Sequence, residues 1–172
     1  MKKLLIVVDY QNDFVDGALG FEGAEALEEK ILERVLTFEK NKDDIVFTLD
    51  THQKDYLETM EGKKLPIPHC LEGSKGHEVY GRLKKYADKY PAFKKETFGS
   101  KELARYLESH KYDYVELVGL VSNICVFTNA VIAKTILPNA EIVVLKDCTG
   151  SNDLDIQEKS FAVLENLHIE VR

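Results

Sequence analysis

The sequence predicts a single-domain, three-layer α/β/α fold built on a mostly parallel, Rossmann-like sheet of about six strands. Two observations carry that expectation. Short apolar runs alternate with stretches of helical periodicity along the chain, so each strand is followed by a crossover, which runs right-handed and returns parallel. The runs are also apolar at consecutive positions, as strands buried on both faces require. At 172 residues and 44% hydrophobic content, residues 1–172 suit one well-buried domain and are short for two.

The elements follow in order. LLIVV (4–8) is the first strand. Ala24, Leu27, Ile31, Val35 and Phe38 recur at helical spacing after a glycine-containing stretch, giving the first helix. IVFTL (45–49) is the second strand, and the polar segment 50–75 shows no periodicity. Residues 76–87 read as a helix and 91–98 as a short strand. Ser100 caps a helix through about His110 with Leu103 and Leu107 on one face. YVELVG (114–119) is a strand, 124–137 a helix and EIVVL (141–145) a strand, and a helix at 152–166 with a strand at 168–171 closes the pattern.

Composition excludes several classes. The formal net charge is −7, and the nearest approach to a basic patch is Arg82, Lys84, Lys85 and Lys89, interrupted by Asp88. It reads as a solvated helix face, so nucleic acid is not an expected partner. No segment reaches the roughly 18 apolar residues of a membrane helix, and the apolar run that ends at Asp9 is too short for a signal sequence. Three widely spaced cysteines argue against a disulfide framework. A cytoplasmic protein is expected.

In such a fold, ligands bind beyond the carboxyl ends of the strands. The first strand ends at Asp9, the second at Asp50 with His52 two residues on, and the fourth runs into Cys125 on the first turn of an apolar helix. The possible strand at 91–98 contributes Lys94 and Lys95. Each alone has a structural reading: an aspartate as turn cap, a lysine as solvated charge, a cysteine as small buried hydrophobe. Together at one sheet edge, a thiol, a carboxylate and an amine make a nucleophile, a base and a charge stabiliser. Asp50, His52 and His69, with Glu58 and Glu61 nearby, form a ligand set suited to zinc, manganese or ferrous iron.

Five stretches in order, VVDYQNDF (7–14), FTLDTH (47–52), PIPHCLEGSKG (66–76), KKETFGS (94–100) and VGLVSNICV (118–126), resemble the isochorismatase-like cysteine hydrolases, and more closely their nicotinamidase-like amidases. The resemblance implies a triad of Asp9, Lys95 and Cys125, with Lys95 preferred over Lys94 because it lies three residues before the aromatic Phe98. It implies an oxyanion hole from the backbone amides of Val121 and Cys125, a cis peptide at Leu120–Val121, and a substrate pocket with Phe14 and Leu120. It further implies one divalent metal ion, zinc before manganese or iron, held by Asp50, His52 and His69, with Glu61 favoured over Glu58 as a fourth ligand. The implied partner is a small-molecule amide and the implied assembly a dimer or tetramer. The implied activity is metal-dependent hydrolysis of nicotinamide through a thioester, with Lys95 and the helix N-terminus favouring a thiolate at Cys125.

The alternatives are another small amide or ureido substrate for the same triad, or a non-catalytic thiol redox or metal-binding module. The absence of tryptophan, which several nicotinamidases place near the ring, bears on the substrate. Cys70 and Cys148 read as structural, His77 and His110 as surface residues and His168 as a strand position.

Overall fold

The computed structural model describes all residues, Met1–Arg172. In chain order its elements are β1 (Lys3–Val8), α1 (Asn12–Val15), α2 (Leu27–Asn41), β2 (Asp44–Asp50), α3 (Met60–Lys64), α4 (Lys84–Ala87), β3 (Ala92–Lys95), α5 (Lys101–Ser109), β4 (Tyr114–Leu120), α6 (Phe127–Ile136), β5 (Glu141–Gly150), α7 (Leu154–Asn166) and β6 (Glu170–Val171). The six strands form one sheet in the order β3-β2-β1-β4-β5-β6, and every pairing is parallel.

β1 shows why the apolar run is continuous. Leu4, Ile6 and Val8 pack into the core on one face, with α5, α6 and α7, while Leu5 and Val7 pack on the other face against α2. Chain order reverses between β1 and β4, so the crevice where ligands bind in such sheets opens at their carboxyl ends. Gly119 brings these two ends together: it has φ +111, and a Cβ there would lie 2.0 Å from the Val8 carbonyl oxygen.

Four expectations are corrected. Residues 76–87 are not one helix; short 3₁₀ turns at Lys75–His77 and Gly81–Leu83 precede α4. The chain between them is extended because Tyr80 N donates to Tyr10 O at 2.9 Å, while Asn12 N donates to Glu78 O at 2.9 Å. That tethering of the β1 end outweighs a helix already weakened by Gly76 and Gly81. The aperiodic 50–75 segment holds a turn at Tyr56–Glu58 and α3, whose cap Thr59 accepts from Gly62 N. β5 continues through polar residues to Gly150, after a register shift between Leu117 and Gly119 of β4. Its outer half was invisible to an apolar count. His168 is not in a strand: at φ 60 it is an exposed residue in the turn after α7, its N–H on Glu165 O.

The helix expected at 124–137 begins earlier, as a π turn over Ser122–Val126 in which Val126 N donates to Val121 O at 3.2 Å. Such turns recur at functional sites. Ser100 does cap α5, accepting from Leu103 N at 3.0 Å.

Candidate active site

The turns after β1, β2, β3 and β4 converge. Asp9 leaves β1 at φ 44, an uncommon conformation for a residue with a side chain, and is fully buried. Its Oδ1 accepts from Thr48 Oγ1 at 2.7 Å, and its Oδ2 lies 2.6 Å from Lys95 Nζ. Lys95 Nζ also contacts Asp50 Oδ1 at 3.2 Å and donates to Thr97 O at 3.0 Å and Cys125 Sγ at 3.5 Å. Lys94 points the other way and pairs with Glu72 on the surface. Alternation along β3 decides between them: Phe93 and Lys95 share the inner side.

Electrostatics sort these groups. Burial raises the Asp9 carboxyl above its ordinary value, with Lys95 opposing and Asp50 adding to the rise. Burial also disfavours the Lys95 ammonium, but Asp9, Cys125 and Asp50 outweigh it and keep the amine charged. For Cys125, burial and the adjacent Asp9 push the thiol well up and overcome the pull of Lys95. The expected resting thiolate is therefore corrected. Asp9 is a carboxylate of raised basicity beside a protonated thiol, an arrangement suited to proton transfer on attack.

A second cluster shares Asp50. The Asp50 Oδ2 lies 3.0 Å from His52 Nε2 and 3.3 Å from His69 Nε2. Ligand atoms of Asp50, His52 and His69 all fall within 4.8 Å of one another, and all three residues are buried. Glu61 Oε1 stands 3.7 Å from both imidazoles, whereas Glu58 is exposed. The His69 Nδ1–H donates to Ile67 O at 2.8 Å, which turns the Nε2 lone pair toward the cluster. Burial opposes ionisation of Asp50, but the adjacent His52 and His69 and the Lys95 charge hold its carboxyl low. One low carboxylate and two convergent imidazoles fit a divalent ion.

Between the clusters lies a cavity of about 220 Å³, walled mainly by apolar side chains, with Asp50 and His69 at one part of its lining and Cys125 at another. Phe14, Phe98 and Leu65 form walls. Leu120 does not: it is fully buried in the core, and Val121 takes the wall position. The Leu120–Val121 peptide is cis.

Several positioning residues were not found from sequence. Gln11, fully buried, donates to Asp50 O at 2.8 Å and His77 O at 2.9 Å and accepts from Asp50 N at 2.8 Å, clamping the β2 end to β1. Asp13 accepts from Cys70 N at 2.7 Å and so fixes the residue after His69. Tyr56 packs against both metal-cluster imidazoles, with centroids at 4.7 Å from His52 and 5.0 Å from His69. Their only signal was proximity in sequence to Asp9 or His52. His77 is half-buried rather than a plain surface residue. Thr51 spends its hydroxyl proton on Leu49 O, so His77 Nε2–H donates to Thr51 Oγ1 at 2.8 Å. His110 is partly buried and stacks on Tyr106. Cys70 and Cys148 are buried and unpaired, and burial pushes the Cys148 thiol to about 11.

Residues 3–172 match the isochorismatase domain family. The chain belongs to the isochorismatase family. An uncharacterised isochorismatase family protein, PncA of Bacillus subtilis (strain 168), is 31% identical over 163 residues, covering 88% of this chain and 87% of that protein. The crystal structure of nicotinamidase PncA from Bacillus subtilis superposes with a TM-score of 0.87 at 29% identity, covering 99% of each chain. Pyrazinamidase of Pyrococcus horikoshii in complex with zinc shares the fold, with a TM-score of 0.87 at 24% identity, over 100% of this chain and 99% of that one. The protein is a nicotinamidase-like hydrolase acting on amide C–N bonds.

Proposed function

We propose that this protein is a metal-dependent cysteine amidase that hydrolyses nicotinamide to nicotinate and ammonia. One observation carries the reading. A single ammonium, Lys95 Nζ, touches both Asp50 of the metal-binding cluster and Cys125, so a ligand site and a nucleophile border one small cavity. Its volume of about 220 Å³ suits a single ring better than a drug-sized ligand. A divalent ion held by Asp50, His52 and His69, with Glu61 beside them, supplies when bound a Lewis-acidic position for a ring nitrogen. Zinc is favoured, as in the zinc-bound pyrazinamidase of the same fold, with manganese or iron as alternatives.

The chain's own residues do the rest. Cys125 Sγ attacks the carboxamide carbon as its proton passes to Asp9. The amides of Val121 and Cys125 face the developing oxyanion. The tetrahedral adduct collapses, the C–N bond breaks, and Asp9 returns the proton to nitrogen, releasing ammonia and leaving a thioester. Water, deprotonated by Asp9, attacks the thioester, and Sγ departs to regain its proton. Lys95 holds Asp9 in place and offsets negative charge at sulfur throughout. The reading places the enzyme in cytoplasmic recycling of nicotinamide, as a dimer or tetramer by family resemblance.

The test is ammonia release from nicotinamide and benzamide by the wild type, Cys125→Ala and Asp9→Asn. Nicotinamide should react at least about 100-fold faster, because benzamide lacks the ring nitrogen that orients the amide, and both variants should be inactive. Equal rates on the two amides would exclude ring-nitrogen recognition. Activity only on other amides or ureido compounds would favour the second reading, which the lack of tryptophan supports. No ammonia from any of them would leave a thiol redox or metal-binding module.

A further inference from the structure

Asn129 on α6 is fully buried and belongs neither to the triad nor to the metal cluster. Its amide reaches two parts of the site at once. Nδ2 donates to Cys125 O at 2.9 Å and to Phe98 O at 3.1 Å, while Oδ1 accepts from Ser100 N at 3.0 Å. Cys125 sits in the nucleophile turn. Phe98 and Ser100 belong to the loop that follows Lys95, and Lys95 Nζ itself donates to Thr97 O in that loop at 3.0 Å. One side chain thus ties the turn carrying the thiol to the loop carrying the amine and the Phe98 wall.

Packing at Gly99 points the same way. A Cβ on Gly99 would meet Ile132 Cδ1 at 2.7 Å and Thr128 Cγ2 at 2.9 Å, so the loop lies directly on α6 on either side of Asn129. The backbone carbonyls of Phe98 and Cys125 have no freedom to separate while both accept from one nitrogen. Phe98 and Cys125 line the same cavity, so their separation sets its width.

We propose that Asn129 is a positioning residue of the amidase site, fixing the Lys95–Ser100 loop against the Cys125 turn and thereby the cavity's width and the amine's approach to sulfur. This rests on Cys125 acting as the nucleophile. A cost of about 100-fold from a displacement near 1 Å sets the scale expected.

The experiment compares wild type, Asn129→Leu and Gly99→Ala for kcat and KM on nicotinamide, with thermal melting and hydrogen exchange at the Ser100 amide. Leu keeps the branched skeleton of Asn129 and removes its three hydrogen bonds. Ala at 99 crowds Ile132 and Thr128 of α6 from the partly exposed side of the loop, leaving the buried hydrogen bonds of Asn129 in place. Both variants should raise KM and lower kcat/KM by about 10–100-fold, and the Ser100 amide should exchange faster in Asn129→Leu. A merely structural role would lower kcat in step with the unfolded fraction at constant KM, and that result overturns the inference. So does an unchanged kcat/KM in either folded variant. A wild type with no amidase activity sinks the reading of Cys125, whereas an active wild type with unaffected variants sinks the inference alone.

Discussion

Lys95→Met separates the structural cost of the buried charge network from its chemical use. The ammonium is 1% exposed and lies 2.6 Å from Asp9, itself 0% exposed, and 3.2 Å from Asp50, 5% exposed. Removing it does not orphan the two carboxylates equally. Asp50 keeps His52 and His69, whereas Asp9 keeps only two neutral donors, the Thr48 hydroxyl and the Cys125 thiol. The loss is therefore that of one uncompensated buried charge, about 3–5 kcal/mol, a large part of a typical 5–15 kcal/mol total. Adding Asp9→Asn, which leaves a neutral pair of similar volume, should recover most of it. The Asp9 carboxyl is already raised by burial against the pull of Lys95, and without that pull it rises further. An acid raised on folding binds more protons in the native state, so stability falls as pH rises through that window and returns on acidification. The Lys95→Met deficit should thus shrink as pH falls from 7 toward 5. Urea titrations in the presence of chelator, at several pH values, measure all three quantities. A deficit below about 1 kcal/mol at pH 7, a deficit independent of pH, or no recovery in the double variant would refute the reasoning.

Three further outcomes are expected. His52→Ala should lower metal content from about one ion per chain to near zero with unchanged far-ultraviolet circular dichroism; retention of the ion by elemental analysis would remove His52 from the site. Asp9→Asn should speed alkylation of Cys125 by iodoacetamide at neutral pH while turnover vanishes, since Asp9 raises the thiol and Lys95 lowers it; slower labelling by mass-spectrometric mapping would contradict this sign. Gly119→Ala would drive a methyl to 2.0 Å from Val8 O at φ +111, and its melting temperature should fall by at least about 10 °C, a drop of under about 2 °C being the contrary result.

What the sequence disclosed followed from where apolar content is uninterrupted. β1, β2 and β4 are buried inner strands, and their runs led directly to Asp9, Asp50 and the turn at Cys125. The far side of the sheet was less legible. β6 is two residues long, and the second half of β5 is polar, so neither boundary had a hydrophobic signature. Gln11 and Asn129 escaped because buried amides that bond backbone leave no periodic trace. The resting state of Cys125 escaped for a different reason. A lysine is visible in a sequence, but full burial beside Asp9 is a property of the fold, and there burial and Asp9 outweigh Lys95.

Lys95 also explains why two constellations that read as independent in the sequence form one unit. Its ammonium bridges Asp9 and Asp50 across two strand ends, so a shift of either carboxylate is felt at sulfur 3.5 Å away. Asp9 and Asp50 face this single cation and Glu61 stands beside the two imidazoles, an excess of two negative charges when all three carboxylates are ionised and both imidazoles are neutral. Uncompensated charge in a buried site is costly. A divalent ion beside His52 and His69 would balance that excess, so charge balance as well as ligand geometry favours a metal at this end of the cavity. Metal occupancy and the proton shared by Asp9 and Cys125 would then be coupled through one amine, not merely adjacent.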